Sequence, residues 1–376
     1  MKYFLLILLI VISTLNFEKS FAQMEGDDEA ILKIIQKHGR AFIKNKNITS
    51  ASIGILKDGY IYTEHFGEIE KGKGLTPTDE SIYEIGSVTK TLTGYLAAKA
   101  VLENKLGLDD ELSVYLKDDY PNLKYKGKPI TVKHLLSHTS GLPMFLPAKM
   151  EEVFQQFNEK VPQDYYELEK SYTKQTFLED LKQVSITTKP GSVYSYSNVG
   201  AELVGYILES IYQTTIDELL YENFSNPYGM DSSFTESYEA NMQTLVRGYW
   251  MDNEKLSPPQ LNSLWATGSG AKMTIMDMMH YIDLYLNPEN TIAAESHRVL
   301  HEEGKTLKVA YFWRVRNDKY GTSYNHHGGT TGTQNWLFIY PKLKLGLSIM
   351  TNQSGPKTPN LLSKTAKKII KKIVRE

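Results

Sequence analysis

The chain has no cysteine, which excludes disulfides, a thiolate nucleophile and cysteine-held metal sites. It has no excess of one charge: 42 Lys and Arg stand against 44 Asp and Glu, so an electrostatic footprint for nucleic acid is not expected. Long apolar runs are missing too, except at the start. There Lys2 precedes the apolar stretch Phe4 to Ile12, and Ser20-Phe21-Ala22 gives a small-x-small site. Residues 1–22 are therefore expected to be an export signal, since the run is too short to span a bilayer. The expected location is periplasmic or secreted, with no transmembrane span after cleavage. An uncleaved anchor is the weaker alternative.

The full chain of 376 residues has ordinary globular composition and is rich in tyrosine, with 25. That length suits one large domain, expected over 23–376. Apolar residues at Ile31, Leu32, Ile34 and Ile35 predict a helix. Ser50 to Leu56 and Tyr60 to Gly67 read as strands around the turn Lys57-Asp58-Gly59. The C-terminal third returns to strand patterns: Lys308 to Arg316, Asn335 to Tyr340 and Leu345 to Met350. A basic amphipathic helix closes the chain at Ser363 to Val374. It is expected to pack on the sheet with lysines in solvent, an anionic surface being the other use considered. Between lies a long helical stretch. The predicted class is α+β: one antiparallel sheet, from about 28–80 and 305–376, flanked by helices. A helical region fills about 87–300, and a cleft lies between the two.

The chemistry centres on Ser87-Val88-Thr89-Lys90. Three residues apart on a helix, Ser87 and Lys90 share a face. A serine hydroxyl needs a neighbour to take its proton, and a lysine with a depressed pKa can do so. Alone this spacing is common by chance. Other features gather round it. Tyr194-Ser195-Tyr196-Ser197-Asn198 follows the Pro190-Gly191 turn and precedes a helix, with Asn198 placed to cap it or reach a ligand. His326-His327-Gly328-Gly329-Thr330 lies in a glycine-rich strand region. His134 and His138 are four apart, but no third ligand accompanies them. A polar turn is the better reading than a metal pair. The methionines around 273–279 read as core filler. No metal or cofactor is expected.

These separated motifs resemble the serine beta-lactamase-like superfamily, in the branch of class C beta-lactamases, D-alanyl-D-alanine carboxypeptidases, D-aminopeptidases and related esterases. Ser87-x-x-Lys90, Tyr196-x-Asn198 and His327-Gly328-Gly329 carry the likeness. His134 to Pro143 and the glycine turn Gly268 to Ala271 support it. The resemblance implies a beta-lactamase/transpeptidase-like fold and an acyl-enzyme at Ser87. Lys90 and Tyr196 would be general base and acid, with nearby positive charge lowering the tyrosine pKa. Asn198 would orient Lys90 or hold the substrate. The backbone N–H groups of Ser87 and Thr330 would form the oxyanion hole. His327 would stand for the usual lysine as a weak cation, with His326 turned away. Gly328 and Gly329 would let substrate lie against the strand. Tyr249 and Trp250, with residues 144–185, are expected to wall the cleft. The substrate would be a small molecule or a peptide of peptidoglycan type. An ester or amide hydrolase is preferred. A true beta-lactamase or D-Ala-D-Ala carboxypeptidase is the alternative, and a noncatalytic penicillin-binding or sensor protein a second.

Overall fold

Asp58 and Gly59 both take positive φ, +51° and +90°. That geometry matches the twist of a two-residue hairpin, and it joins strand β1 (Ser50–Lys57) to β2 (Tyr60–Gly67) with Lys57 opposite Tyr60. The molecule is a computed structural model that describes residues 28–230, 244–251, 254–260 and 263–375. The expected export segment 1–22 lies outside the described residues.

Strand β1 lies one strand in from the edge and is buried on both faces, which is why its sequence shows little alternation. On one side it pairs with β2. On the other lies β8 (Leu345–Thr351), and beyond that come β7 (Gln334–Tyr340) and β6 (Gly321–Gly329). The far edge is β5 (Arg314–Asp318), β4 (Leu307–Val309) and β3 (His301–Glu303). Every neighbouring pair in this eight-stranded sheet is antiparallel.

The one strand expected over 308–316 is instead β4 and β5, separated by a tight turn. Ala310 N–H donates to Trp313 O at 2.9 Å, and Phe312 takes φ +65°. Tyr311, Phe312 and Trp313 are all buried, and Phe312 N–H bonds Leu136 O at 2.8 Å. Burying three consecutive aromatics on the helical region costs the strand its continuity.

Each face of the sheet has its own core. Helix α1 (28–43) and the C-terminal helix α7 (Thr358–Ile373) cover one face, through Ile35, Phe42, Leu362, Ile369 and Ile370 against Ile53, Phe338 and Leu347. Each such aliphatic side chain contributes roughly 1.5–3 kcal/mol by leaving water. The other face, through Leu337 and Ile339, joins the larger core of helices α2 (Thr89–Leu102), α5 (Asn198–Tyr212) and α6 (Ile275–Leu286). Met278 and Met279 are buried in that core. Helices α3 (Ala148–Gln156) and α4 (Val161–Glu169) stand at its rim. No helix among the described residues is long and apolar enough to cross a membrane.

Candidate active site

The nucleophile-bearing turn is clamped against the sheet. Ser87 lies in a single 3₁₀ turn, Gly86–Val88, that runs directly into α2. A Cβ on Gly328 would sit 1.8 Å from Ile85 O, and one on Gly86 would sit 2.5 Å from Gly329 N. Only glycine permits this approach of two backbones. Asn335 Nδ2 donates to Ile85 O at 2.8 Å and Thr333 Oγ1 to Glu84 O at 2.6 Å, fixing the same segment. Gly328 thus makes room for the Ser87 segment rather than for substrate, which corrects the expectation for that residue. Gly329 does line the cleft. Ser87 N–H falls in the first turn of the helix, where backbone donors have no intrahelical acceptor.

Lys90 follows one helical turn later. Its Nζ lies 3.3 Å from Ser87 Oγ and donates to Asn198 Oδ1 at 2.6 Å and Gly268 O at 2.5 Å. Helix α2 is buried nearly all round, so the ammonium is enclosed. Burial pushes the lysine down to about 7; the charge of Glu202 opposes that shift and Arg314 adds to it.

Tyr196 and Asn198 arrive together at the start of α5. The cap is Ser197, not Asn198: Ser197 Oγ accepts from Gly200 N–H at 2.9 Å. This leaves Asn198 free to hold Lys90. Tyr196 OH donates to Ser87 Oγ at 2.7 Å. The Lys90 ammonium sits 4.9 Å from the Tyr196 ring centroid. Burial nonetheless raises the tyrosine well above its ordinary value, outweighing the Ser87 hydrogen bond and the Arg314 charge. The expected lowering of its pKa is therefore corrected: the resting group is a neutral phenol.

The two spaced histidines do separate work. His134 closes a capping box, accepting Thr131 N–H at 3.0 Å. His138 takes φ +55° and packs its buried ring 4.4 Å from that of Tyr196. Its Nδ1 accepts Ser197 N–H at 3.2 Å. Residues 134–143 thus brace the tyrosine.

Strand β6 reverses the expected histidine order. His326 stands opposite Leu337, on the face shared with α2, and His327 opposite Trp336, on the face of the terminal helices. His326 is buried, with the charges of Lys90 and Arg314 and the ring of His138 all pressing it toward neutrality after burial itself. His327 packs its ring 5.0 Å from Trp336, and burial pushes it down to about 4. At neutral pH it is uncharged, so the weak-cation role assigned to it is corrected.

Thr330 is a strut. Its N–H donates to Thr333 O at 2.9 Å and its hydroxyl to Glu84 Oε2 at 2.7 Å. With that N–H closing the turn, the expected second oxyanion donor is already committed. Tyr249 and Trp250 also hold structure. Tyr249 OH accepts Lys71 N–H at 2.8 Å, and Trp250 Nε1 donates to Asn158 O at 2.9 Å. Neither lines the cleft beside Ser87, which corrects their placement. That cleft, about 210 Å³, is walled by Phe145, Phe154, Tyr165 and Tyr166 from 144–185, and by Pro258 and Pro259.

Charged groups not singled out from sequence also bear on the site, among them Glu169, which lines the cleft. Glu202 is buried on α5, accepts from Thr267 Oγ1 at 3.0 Å, and is pushed up to about 8 by burial. Its position one turn beyond Asn198 on the same face is the signal that could have found it. Arg314 opens β5. Its charge bears on Lys90, Tyr196, His138, His326 and His327. Its guanidinium has no hydrogen bond or ion pair among the described residues. Nothing local in the sequence marks it.

A family model described as Beta-lactamase matches residues 35–369. The chain belongs to the beta-lactamase family, a family of serine hydrolases. Protein flp of Staphylococcus aureus (strain N315) is 25% identical over 333 residues, covering 85% of this chain and 63% of that protein. The chain therefore spans just under two thirds of that relative. The D-alanyl-D-alanine-carboxypeptidase/endopeptidase AmpH of Escherichia coli (strain K12) is 26% identical over 272 residues, covering 71% of this chain and 65% of AmpH. Among solved structures, a class C beta-lactamase matches with TM-score 0.78 at 19% identity, over 92% of this chain and 97% of that one. A beta-lactamase/D-alanine carboxypeptidase from Yersinia pestis, complexed with citrate, matches with TM-score 0.77 at 21% identity, over 92% and 98%. These likenesses show the fold: the α+β beta-lactamase/transpeptidase arrangement.

Proposed function

We propose that the protein is an exported serine hydrolase that cleaves an ester or an amide/peptide bond through an acyl-enzyme on Ser87. One observation carries the reading. Ser87 Oγ lies within hydrogen-bond reach of both a neutral-prone Lys90 and the Tyr196 phenol. Ser87 Oγ attacks the carbonyl and its proton passes to the free amine of Lys90, directly or through Tyr196. Tyr196 then gives its phenolic proton to the leaving alcohol or amine and is reprotonated from Lys90. Water cleaves the acyl-enzyme by the reverse relay. Ser87 N–H supplies one donor to the oxyanion. Gly329, whose N lies beside the Gly86 Cα and which lines the cleft, supplies the other in place of Thr330.

The test is labelling with a fluorophosphonate, followed by turnover of p-nitrophenyl acyl esters, nitrocefin, a D-Ala-D-Ala peptide and D-amino-acid amides. An adduct on the Ser87 peptide, lost with turnover in Ser87→Ala, is the expected result. Full activity in Ser87→Ala overturns the mechanism. No adduct with fluorophosphonate or a fluorescent penicillin favours the noncatalytic binding reading.

Within this class Arg314 favours a second, narrower reading: a substrate ending in a carboxylate, as D-Ala-D-Ala peptides and beta-lactams do. An unpaired guanidinium whose charge reaches the reacting groups is available to take such an anion by two parallel hydrogen bonds. The expected location, periplasmic or secreted, fits a peptidoglycan-like substrate, in line with the carboxypeptidase named among the relatives.

A further inference from the structure

The two helices that cover the outer face of the sheet share an unusual charge pattern. Segments 28–46 and 357–375 carry twelve Lys and Arg against only Asp28 and Glu29, at the start of α1, while the whole chain has a net charge of −2. The positive charge is therefore gathered on the terminal helices, and the rest of the molecule is acidic. Helix α7 buries Leu362, Ala366, Ile369, Ile370 and Ile373 against the sheet. Its outward side is left to Lys367, Lys368, Lys371 and Lys372, all exposed. Lys37 and Arg40 of α1 are exposed as well. The two sets belong to one patch: the half-buried His38 of α1 is lowered by burial and then by the charges of Lys368, Lys37 and Lys372.

None of these six cations has an ion pair or a side-chain hydrogen bond among the described residues. Like charges held together with no counter-charge repel one another, and an external anion relieves that repulsion. A dipole argument covers only part of the pattern. Lys371 and Lys372 complement the C-terminus of α7, but Lys367 and Lys368 lie deeper in the helix and α1 is a separate element.

We propose that α1 and α7 form a docking face for an anionic lipid bilayer surface. Two helices lying side by side on one sheet offer a broad cationic face, which suits a planar array of anionic headgroups. Export, as proposed above, delivers the protein to the outer side of a membrane, where such headgroups are present. The apolar sides of both helices are already used on the sheet, so the attachment is electrostatic and peripheral, without insertion. Ser87 belongs to the opposite face of the sheet. A docked molecule therefore presents its cleft away from the lipid.

Sedimentation of the protein, from residue 23 onward, with vesicles of 30% phosphatidylglycerol in phosphatidylcholine tests this. At low salt the protein is expected to pellet with these vesicles, at least tenfold more than with pure phosphatidylcholine. Half-molar salt should release it. The variant K367E/K368E/K371E/K372E should remain in the supernatant, and K367Q/K368Q/K371Q/K372Q should bind weakly. Both should keep wild-type turnover of a soluble ester, which shows that they are folded. Equal binding to both vesicle types, or binding unchanged by the four substitutions, overturns the proposal. So does capture by a soluble anionic polymer with no binding to vesicles.

Discussion

Lys90 and Glu202 both border the space left by the missing side chain of Gly268. The space that a Cβ on Gly268 would fill lies 3.8 Å from Lys90 Nζ and 3.9 Å from Glu202 Oε2. Both side chains are buried, and burial drives both toward their neutral forms, the lysine down to about 7 and the glutamate up to about 8. A catalytic base with a pKa near neutrality is the result that acyl transfer requires.

The pH dependence follows with a definite sign. Lys90 accepts a proton only as the free amine, which forms as pH rises through about 7. The kcat/KM for a non-ionising ester should therefore rise with pH, with its midpoint near 7. A profile that falls between pH 6 and 8 would remove Lys90 from the role of base.

Glu202→Gln separates charge from packing, because the amide preserves shape. The carboxylate raises the lysine pKa only where it is ionised, and with Glu202 pushed up to about 8 that charge is only partly present at the midpoint, so its loss should move the rising limb to lower pH by a small amount. Glu202→Asp should restore most of the original profile. A variant whose rate changes uniformly at every pH would mean that Glu202 only holds Thr267.

Gly328→Ala tests the clamp on the nucleophile turn. Its Cβ would lie 1.8 Å from Ile85 O, between two backbones that neither rotamer change nor side-chain motion can part. Overpacking of this kind costs about 1–3 kcal/mol, and a shift of about 1 Å at the reacting atoms can cost roughly a hundredfold in rate. Loss of both stability and turnover is expected, measured by thermal unfolding and ester hydrolysis. Wild-type turnover would show that Ser87 does not depend on this contact.

The parts of the site legible in sequence are those fixed by short covalent paths. Ser87 and Lys90 are one helical turn apart, and Tyr196 and Asn198 flank one helix start. Their meeting was suggested by likeness to a family, not by spacing. The face of His326 and His327 was not legible. It depends on the β6–β7 register, and β7 reads Trp336, Leu337, Phe338, Ile339, Tyr340, apolar on both sides. With a core on each face of the sheet, alternation carries no sign. Tyr249 and Trp250 were misplaced because their partners, Lys71 and Asn158, are far off in the chain. The break at Ala310 to Trp313 was hidden for a like reason: consecutive aromatics suit a strand until tertiary packing buries all of them.

Arg314 is the residue at which the proposed preference for a carboxylate can be tested. Its charge bears on five groups of the site while its guanidinium has no partner among the described residues. A carboxylate held there gains a charge-assisted hydrogen bond, worth about 1.5–3 kcal/mol, or roughly 10- to 150-fold in kcat/KM. Arg314→Gln should lose that factor on a peptide with a free C-terminal carboxylate and little on the same peptide as its amide. A neutral p-nitrophenyl ester serves as the second control. Its limb should move slightly to higher pH, because Arg314 is one of the charges that lower Lys90. Equal loss on the acid, the amide and the ester would mean that Arg314 serves the site through its charge on Lys90 and Tyr196 and does not select the substrate.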